Sequence, residues 1–191
     1  ETAFTVVLDA QPTSDVVITV TPNDTTEVST TGTLTFTPIN WDTPQTVTVT
    51  GVDEDIVDGT ITSAITLAVV DATSNDNFDA VADQTVSVST TDDDVAGFTI
   101  VELDGSTEVD ESGSTDTFTV VLDAQPTSNV VISLSSNDGS EISIPSSLTF
   151  TTANWDTPQT VTVTGADDTA IDSTQTSTIT ISIIDAISCL L

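Results

Sequence analysis

Apolar and polar residues alternate along most of this chain with a period of two. Thr46, Thr48 and Thr50 are interleaved with Val47 and Val49, and similar short runs recur along the sequence. Alternation over roughly four to eight residues predicts strands that are buried on one face. Turn-forming residues such as Pro, Asn, Asp and Gly separate the runs, and no stretch has a convincing helical stripe. The pattern therefore predicts an all-β chain.

The chain contains two copies of one module, offset by 114 residues (118 − 4). Phe4 to Gln11 reads F-T-V-V-L-D-A-Q, and Phe118 to Gln125 reads the same. The segment N-W-D-T-P-Q-T-V-T-V-T-G also occurs twice, from Asn40 and again from position 154. Between residues 4–72 and 118–186, 43 of 69 positions are identical without a gap. This similarity indicates an internal repeat.

About seven short strands in each repeat predict an antiparallel β-sandwich of immunoglobulin-like size. A leader at 95–117 precedes only the second copy, and a tail at 73–94 follows only the first. We therefore predict two tandem immunoglobulin-like β-sandwich modules. Residues 1–94 form a module that lacks its first strand, and residues 95–191 form a module that lacks its last strand or strands. We expect the chain to be a segment of a longer tandem array.

The composition excludes several functions. The chain has 31 acidic residues and no Lys, Arg or His, so its formal net charge is −31. It therefore has no basic surface for nucleic acid, and an anionic membrane surface would repel it. No apolar run approaches the roughly 18 residues that span a bilayer. Without His or Lys the usual general bases are missing, and the single Cys cannot form an internal disulfide or a zinc cluster.

The acidic residues collect in turns and directly after strands. Asp53, Glu54 and Asp55 follow one strand, with Asp58 three residues later, and 92–94 is a run of three aspartates. Two carboxylates about 4 Å apart repel by about 1 kcal/mol in water and by more near a protein surface. Because the chain has no basic side chain, the neutralising cation must come from solution. Oxygen ligands on irregular loops suit Ca²⁺ better than Mg²⁺ or Zn²⁺. The alternative is a solvated acidic surface of the halophilic kind.

The order of these motifs resembles the Calx-beta family, in the tandemly repeated bacterial form found in very large secreted or surface proteins. The resemblance rests on V-D-E-S-G at Val109–Gly113, an Asn-Asp turn, N-W-D-T-P-Q-T-V-T-V-T-G, D-E-D-I-V-D-G and a closing D-D-D. It covers essentially the whole chain. It implies a seven-stranded sandwich whose loops bind calcium at one end.

Mapped onto this sequence, the resemblance and the equivalent acids of the second repeat give a set of candidate calcium ligands. In the first repeat these are Asp24, Asp53, Glu54, Asp55, Asp58, Asp92, Asp93 and Asp94. In the second repeat they are Glu111, Asp138, Asp167, Asp168 and Asp172. The second loop is depleted, because Thr169 replaces an aspartate, and the early glutamate of the family is matched in the second repeat only.

Together these features predict a non-enzymatic Ca²⁺-binding structural repeat of a large extracellular or cell-surface protein. Its partners would be neighbouring repeats, and calcium would stiffen the joint between them. Two alternatives stay open: an adhesin module that itself binds a glycan or a surface, and a filament subunit that forms homo-oligomers by strand exchange. A two-carboxylate glycosidase is disfavoured, because the acids lie in loops and few aromatic residues are available for a sugar cleft.

Overall fold

The computed structural model describes residues 2–169, 171 and 173–184. Their regular secondary structure consists of strands and two short 3-10 helices, Asp71–Thr73 and Asp76–Phe78. Neither helix is long and apolar enough to cross a membrane. All the sheet ladders are antiparallel, so the predicted fold class is confirmed. The chain divides into two compact units, the first comprising Glu1–Glu54 and Asp58–Asp92 and the second comprising Asp55–Val57 and Asp93–Leu191.

The described residues of the first unit form two antiparallel sheets. The strands are β1 (Thr2–Val6), β2 (Val16–Pro22), β3 (Val28–Thr30), β4 (Thr33–Phe36), β5 (Gln45–Gly51), β6 (Ile61–Val69) and β7 (Gln84–Thr90). One sheet has the order β1-β5-β3, and the other has the order β4-β2-β6-β7. The inner faces of both sheets contribute to a single apolar core, which makes the unit a β-sandwich.

The period-two pattern explains which side chains enter this core. Val47 and Val49 of β5 are buried, whereas Thr46 and Thr50 are exposed on the opposite face. Successive residues of a strand point to opposite faces, so the alternation assigns valine to the inside and threonine to the outside. Trp41 is partly buried and packs against this core.

The second unit repeats this arrangement with different outer strands. Its described strands are β8 (Phe98–Glu102), β9 (Thr115–Leu122), β10 (Val130–Ser136), β11 (Ile142–Ser143), β12 (Ser147–Phe150), β13 (Gln159–Gly165) and β14 (Ile179–Ile183). They form sheets in the orders β11-β13-β9-β8 and β12-β10-β14. The equivalent residues Phe36 and Phe150 are both fully buried in the core of their own unit.

The two units differ in one strand each. In the second unit β8 pairs with β9, whereas β1, the equivalent of β9, lies at the edge of its sheet. In the first unit β7 pairs with β6, whereas β14, the equivalent of β6, lies at the edge of its sheet among the described residues. Among the described residues, β9 and β6 are therefore paired with a strand on both sides, whereas their equivalents β1 and β14 are paired on one side only.

One buried hydroxyl in the first unit lacks a partner. Ser63 of β6 is 1% exposed, and its Oγ has no hydrogen bond among the described residues. A buried unsatisfied polar group costs about 1–3 kcal/mol. We therefore expect Ser63→Ala to raise the free energy of unfolding of the first unit by about 1 kcal/mol. Urea unfolding followed by tryptophan fluorescence measures this free energy of unfolding.

The matched control for this substitution is Ser87→Ala, because Ser87 lies on the neighbouring strand β7 but is exposed. Its effect on the free energy of unfolding should stay within about 0.5 kcal/mol. A loss of stability in Ser63→Ala would show that the Ser63 hydroxyl has a hydrogen-bond partner in solution.

Candidate metal centre

The turn between β2 and β3 positions a buried glutamate. Asp24 begins this turn, and its Oδ1 accepts hydrogen bonds from the Thr26 N–H at 3.0 Å and the Thr26 hydroxyl at 2.5 Å. The Val28 N–H donates to the Asp24 carbonyl at 3.2 Å, and the Glu27 carbonyl accepts from the Val52 N–H at 2.9 Å. The last bond ties the turn to the start of the acidic loop that follows β5. Glu27 is only 8% exposed.

Three acidic side chains of the first unit converge here. Carboxylate oxygens of Glu27, Glu54 and Asp58 all lie within 4.8 Å of one another. Glu27 is buried, Glu54 is half-buried and Asp58 is exposed, so solvent reaches part of the cluster. Two oxygens bound to one Ca²⁺ at about 2.4 Å lie at most about 4.8 Å apart. The spacing of the three carboxylates is therefore compatible with a single bound calcium ion.

The electrostatics of the cluster are unfavourable without a cation. Burial raises the pKa of Glu27 above its ordinary value of 4.5, and the negative charges of Asp58, Asp24, Glu54 and Asp92 raise the pKa further. The chain also has no Lys, Arg or His. A buried carboxylate in such surroundings either takes up a proton or binds a cation.

Asp92 holds the acidic loop in place from the end of β7. Its Oδ2 accepts hydrogen bonds from the N–H groups of Asp58 at 3.0 Å and Gly59 at 2.7 Å. Gly59 has a φ of +79°, a conformation that glycine adopts without steric cost. These bonds fix the backbone at Asp58 next to the cluster. Asp92 therefore orients a candidate ligand, and its charge acts on Glu27.

The other predicted residues of the first repeat are not in the three-carboxylate group. The hydrogen bonds from Thr26 lower the pKa of Asp24, so that this side chain stabilises its own turn as a carboxylate. Asp53, Asp55 and Asp93 are exposed, and Asp94 is half-buried. The structure thus brings together Glu54 and Asp58 from the predicted set and adds a buried residue, Glu27, that the set does not contain.

In the second unit, the turn between β10 and β11 has the same pattern of hydrogen bonds as the turn between β2 and β3. Asp138 Oδ1 accepts from the Ser140 N–H at 3.1 Å and from the Ser140 hydroxyl at 2.6 Å, and these bonds lower the pKa of Asp138. The carbonyl of Glu141, the equivalent of Glu27, accepts from the Ala166 N–H at 2.8 Å. Glu141 and Asp168 are both half-buried. Asp172 lies outside the described residues.

A second acidic surface in this unit involves the leader segment. Glu111 and Asp167 line a cleft of about 460 Å³ together with Ser112, Gly113 and Gly165. This cleft contains two of the predicted ligands, one from the leader and one from the loop after β13.

The leader is held by a compact turn. Asp110 Oδ1 accepts from the Ser112 N–H at 2.9 Å and from the Ser112 hydroxyl, and these bonds lower the pKa of Asp110. The Asp110 N–H donates to the Ser114 Oγ at 2.7 Å, and the Ser114 carbonyl accepts from the Gly165 N–H at 3.0 Å. The turn is therefore fixed to the end of β13, and this contact brings Glu111 to the cleft.

A scan against protein-family models gives no match to this chain, and a search of curated proteins gives none either.

Proposed function

We propose that this chain is a non-enzymatic calcium-binding structural module of a large extracellular or cell-surface repeat protein of the Calx-beta type. The observation that carries the proposal is the environment of Glu27. Glu27 is 8% exposed, and one of its carboxylate oxygens lies within 4.8 Å of an oxygen from each of two other carboxylates. Because the chain contains no basic side chain, a cation from solution is the natural partner of this cluster.

The chemistry of the donor set favours calcium over other common metals. Glu27, Glu54 and Asp58 provide only oxygen ligands, and they come from two loops of irregular backbone. Zinc prefers nitrogen and sulfur ligands, and Mg²⁺ needs nearly ideal octahedral geometry at shorter distances. Ca²⁺ accepts six to eight oxygens in flexible geometry, so backbone carbonyls and water can complete the shell.

Calcium should therefore stabilise the folded chain. Extracellular modules bind calcium with dissociation constants of about 10⁻⁴–10⁻³ M. At 10 mM Ca²⁺ the expected gain in the free energy of unfolding is about 1.4–2.7 kcal/mol. Urea unfolding in calcium and in EGTA measures the gain, and calorimetric titration measures the dissociation constant. Small-angle scattering of the same samples tests whether calcium also stiffens the joint between repeats.

Mg²⁺ and NaCl at matched ionic strength are the controls for this measurement. A solvated acidic surface is stabilised by any cation through screening. Equal stabilisation by all three salts would therefore contradict the proposed site and support the halophilic alternative.

A further inference from the structure

Three aspartate–glycine pairs lie between the strands of this chain. They are Asp58–Gly59, Asp104–Gly105 and Asp138–Gly139. An aspartate that precedes glycine is prone to spontaneous isomerisation, because glycine has no Cβ to shield its nitrogen and its backbone is conformationally free. The reaction requires the glycine nitrogen to reach the Cγ of the aspartate. The hydrogen bonds around each pair therefore decide how fast that pair reacts in the folded chain.

In the first pair the glycine N–H points away from the reacting carbon. The Gly59 N–H donates to Asp92 Oδ2 at 2.7 Å, and the Asp58 N–H donates to the same oxygen at 3.0 Å. A deprotonated nitrogen attacks along the direction of its former N–H bond, and here that direction leads to the Asp92 carboxylate. This carboxylate also opposes loss of the proton, because a negative charge disfavours a second one beside it. Both effects slow the reaction at Asp58.

In the third pair the carboxylate is held instead. Asp138 Oδ1 accepts hydrogen bonds from the Ser140 N–H at 3.1 Å and from the Ser140 hydroxyl at 2.6 Å. These bonds direct the side chain to the residue that follows Gly139. They also lower the pKa of Asp138, and loss of water from a carboxyl group requires its protonated form. The folded turn therefore slows the reaction at Asp138.

The second pair lies in the turn that follows β8, and both of its residues are exposed. Gly105 has a φ of +81°, close to the +79° of Gly59, so these two glycines are matched in backbone conformation. A hydrogen bond from the Thr107 hydroxyl to Glu102 Oε1 at 3.3 Å spans the pair and involves neither of its residues. Within the described part of the chain, the contacts that hold the other two pairs have no counterpart at Asp104.

We propose that Asp104–Gly105 is a site of spontaneous isoaspartate formation in the folded chain and reacts faster than the other two pairs. The Gly105 nitrogen forms a bond to the Asp104 Cγ, and one water leaves with the amide proton and a carboxyl oxygen, which gives a cyclic succinimide. Water then adds to a ring carbonyl. Cleavage between the nitrogen and the Asp104 α-carbonyl carbon gives isoaspartate, whereas cleavage between the nitrogen and Cγ restores aspartate. No other reactant is needed, because the water that leaves is regained.

The test is incubation of the full chain in heavy-oxygen water at neutral pH. EGTA is present, so that bound calcium does not affect Asp58 and the result is independent of the proposed calcium site. Each passage through the succinimide leaves one heavy oxygen in the residue. Digestion after glutamate in ordinary water places the three pairs in separate peptides, 55–102, 103–108 and 112–141. Mass spectrometry then gives the rate at each pair, and electron-transfer fragmentation distinguishes isoaspartate from aspartate.

In the folded chain, heavy oxygen should enter Asp104 at least about tenfold faster than Asp58 or Asp138, because charge-assisted hydrogen bonds must break at the latter two. In urea the three pairs should react at similar rates, because the fold no longer holds any of them. Asp104→Glu keeps the charge and should leave peptide 103–108 unlabelled, because the longer side chain does not form the succinimide.

Asp92→Ala tests the cause of the difference between the two matched pairs. It should raise the rate at Asp58 at least about fivefold and leave the rate at Asp104 unchanged. Asp93→Ala is the matched control, because it removes the same charge from an exposed neighbouring residue and should leave the rate at Asp58 unchanged.

Similar rates at the three pairs in the folded chain would overturn the proposal, and so would faster labelling of Asp58 or Asp138 than of Asp104. The same order of rates in urea would also overturn it, because local sequence and not the fold would then set the order. This comparison uses the parent chain, so it does not depend on whether the Asp92→Ala variant folds.

Discussion

Glu27→Gln is expected to abolish the calcium-dependent stabilisation of the first unit and to stabilise that unit when calcium is absent. The glutamine keeps the size of the side chain but removes the charge that a cation needs. Mutation of residues that only orient metal ligands costs about 10–100-fold in affinity, so loss of a buried charged ligand should cost at least as much. Without calcium, the same change removes a buried charge that lies near four other acids.

The stabilisation of the calcium-free variant should depend on pH with a definite sign. The pKa of Glu27 in the folded chain lies above its ordinary value of 4.5. At a pH between the ordinary pKa and the folded-state pKa, Glu27 carries a proton in the folded chain but not in the unfolded chain. The contribution of Glu27 to the stability of the calcium-free first unit therefore becomes more favourable as the pH falls through its folded-state pKa. The advantage of Glu27→Gln should be largest near neutral pH and should shrink as the pH falls toward 4.5.

Each unit contains one tryptophan that packs against its core, so the two units can be followed separately. A Trp155→Phe background leaves Trp41 as the reporter of the first unit during urea unfolding in calcium and in EGTA. Glu108→Gln is the matched control, because Glu108 is exposed and the substitution changes the net charge by the same amount. If both glutamine variants lose the response to calcium equally, the response comes from total charge and not from a site at Glu27.

The fold class could be predicted because the alternation of side chains between the two faces of a strand depends only on local backbone geometry. Alternation of valine and threonine in Gln45–Gly51 assigns one face to the core whatever the tertiary arrangement, and the structure agrees. Part of the acidic cluster was predictable for a similar reason. Glu54 and Asp58 lie in the loop that follows β5, and loops at one end of a sandwich lie close together in space.

The role of Glu27 could not be predicted in the same way. Asp24 and Glu27 lie three residues apart in one turn, and the sequence does not say which of them points inward. The answer depends on hydrogen bonds within the turn, because the Asp24 carboxylate is occupied by Thr26 and the Glu27 side chain is left to enter the cluster. The repeat gives no further signal, because the second copy retains both acids as Asp138 and Glu141.

Sequence identity between the repeats also hides a difference that only the fold reveals. Gly51 and Gly165 end the same N-W-D-T-P-Q-T-V-T-V-T-G segment. A Cβ at Gly51 would meet only the Thr90 Cγ2, at 3.6 Å, which is an ordinary contact. A Cβ at Gly165 would overlap the Asp110 carbonyl oxygen and lie 2.7 Å from its carbon. The leader of the second unit therefore makes one glycine obligatory, while the other is replaceable.

Gly165→Ala should consequently destabilise the second unit by about 1–3 kcal/mol, the usual cost of forcing extra atoms into a packed region. The clash involves backbone atoms of the leader turn, so the turn must move and the hydrogen bond from the Gly165 N–H to the Ser114 carbonyl should be lost. Gly51→Ala should instead be neutral or stabilising by up to about 1 kcal/mol, because alanine restricts the unfolded chain more than glycine does.

Urea unfolding resolves the two effects, with Trp155 as the reporter of Gly165→Ala in a Trp41→Phe background and the reverse arrangement for Gly51→Ala. Gly165→Ala should also weaken any calcium binding that involves Glu111 and Asp167, because both residues share the cleft with Gly165. Equal and small effects of the two substitutions would show that the leader turn does not lie against Gly165 in solution. In that case the Glu111 side of the cleft would have no fixed position, and the second unit would have to bind calcium without it.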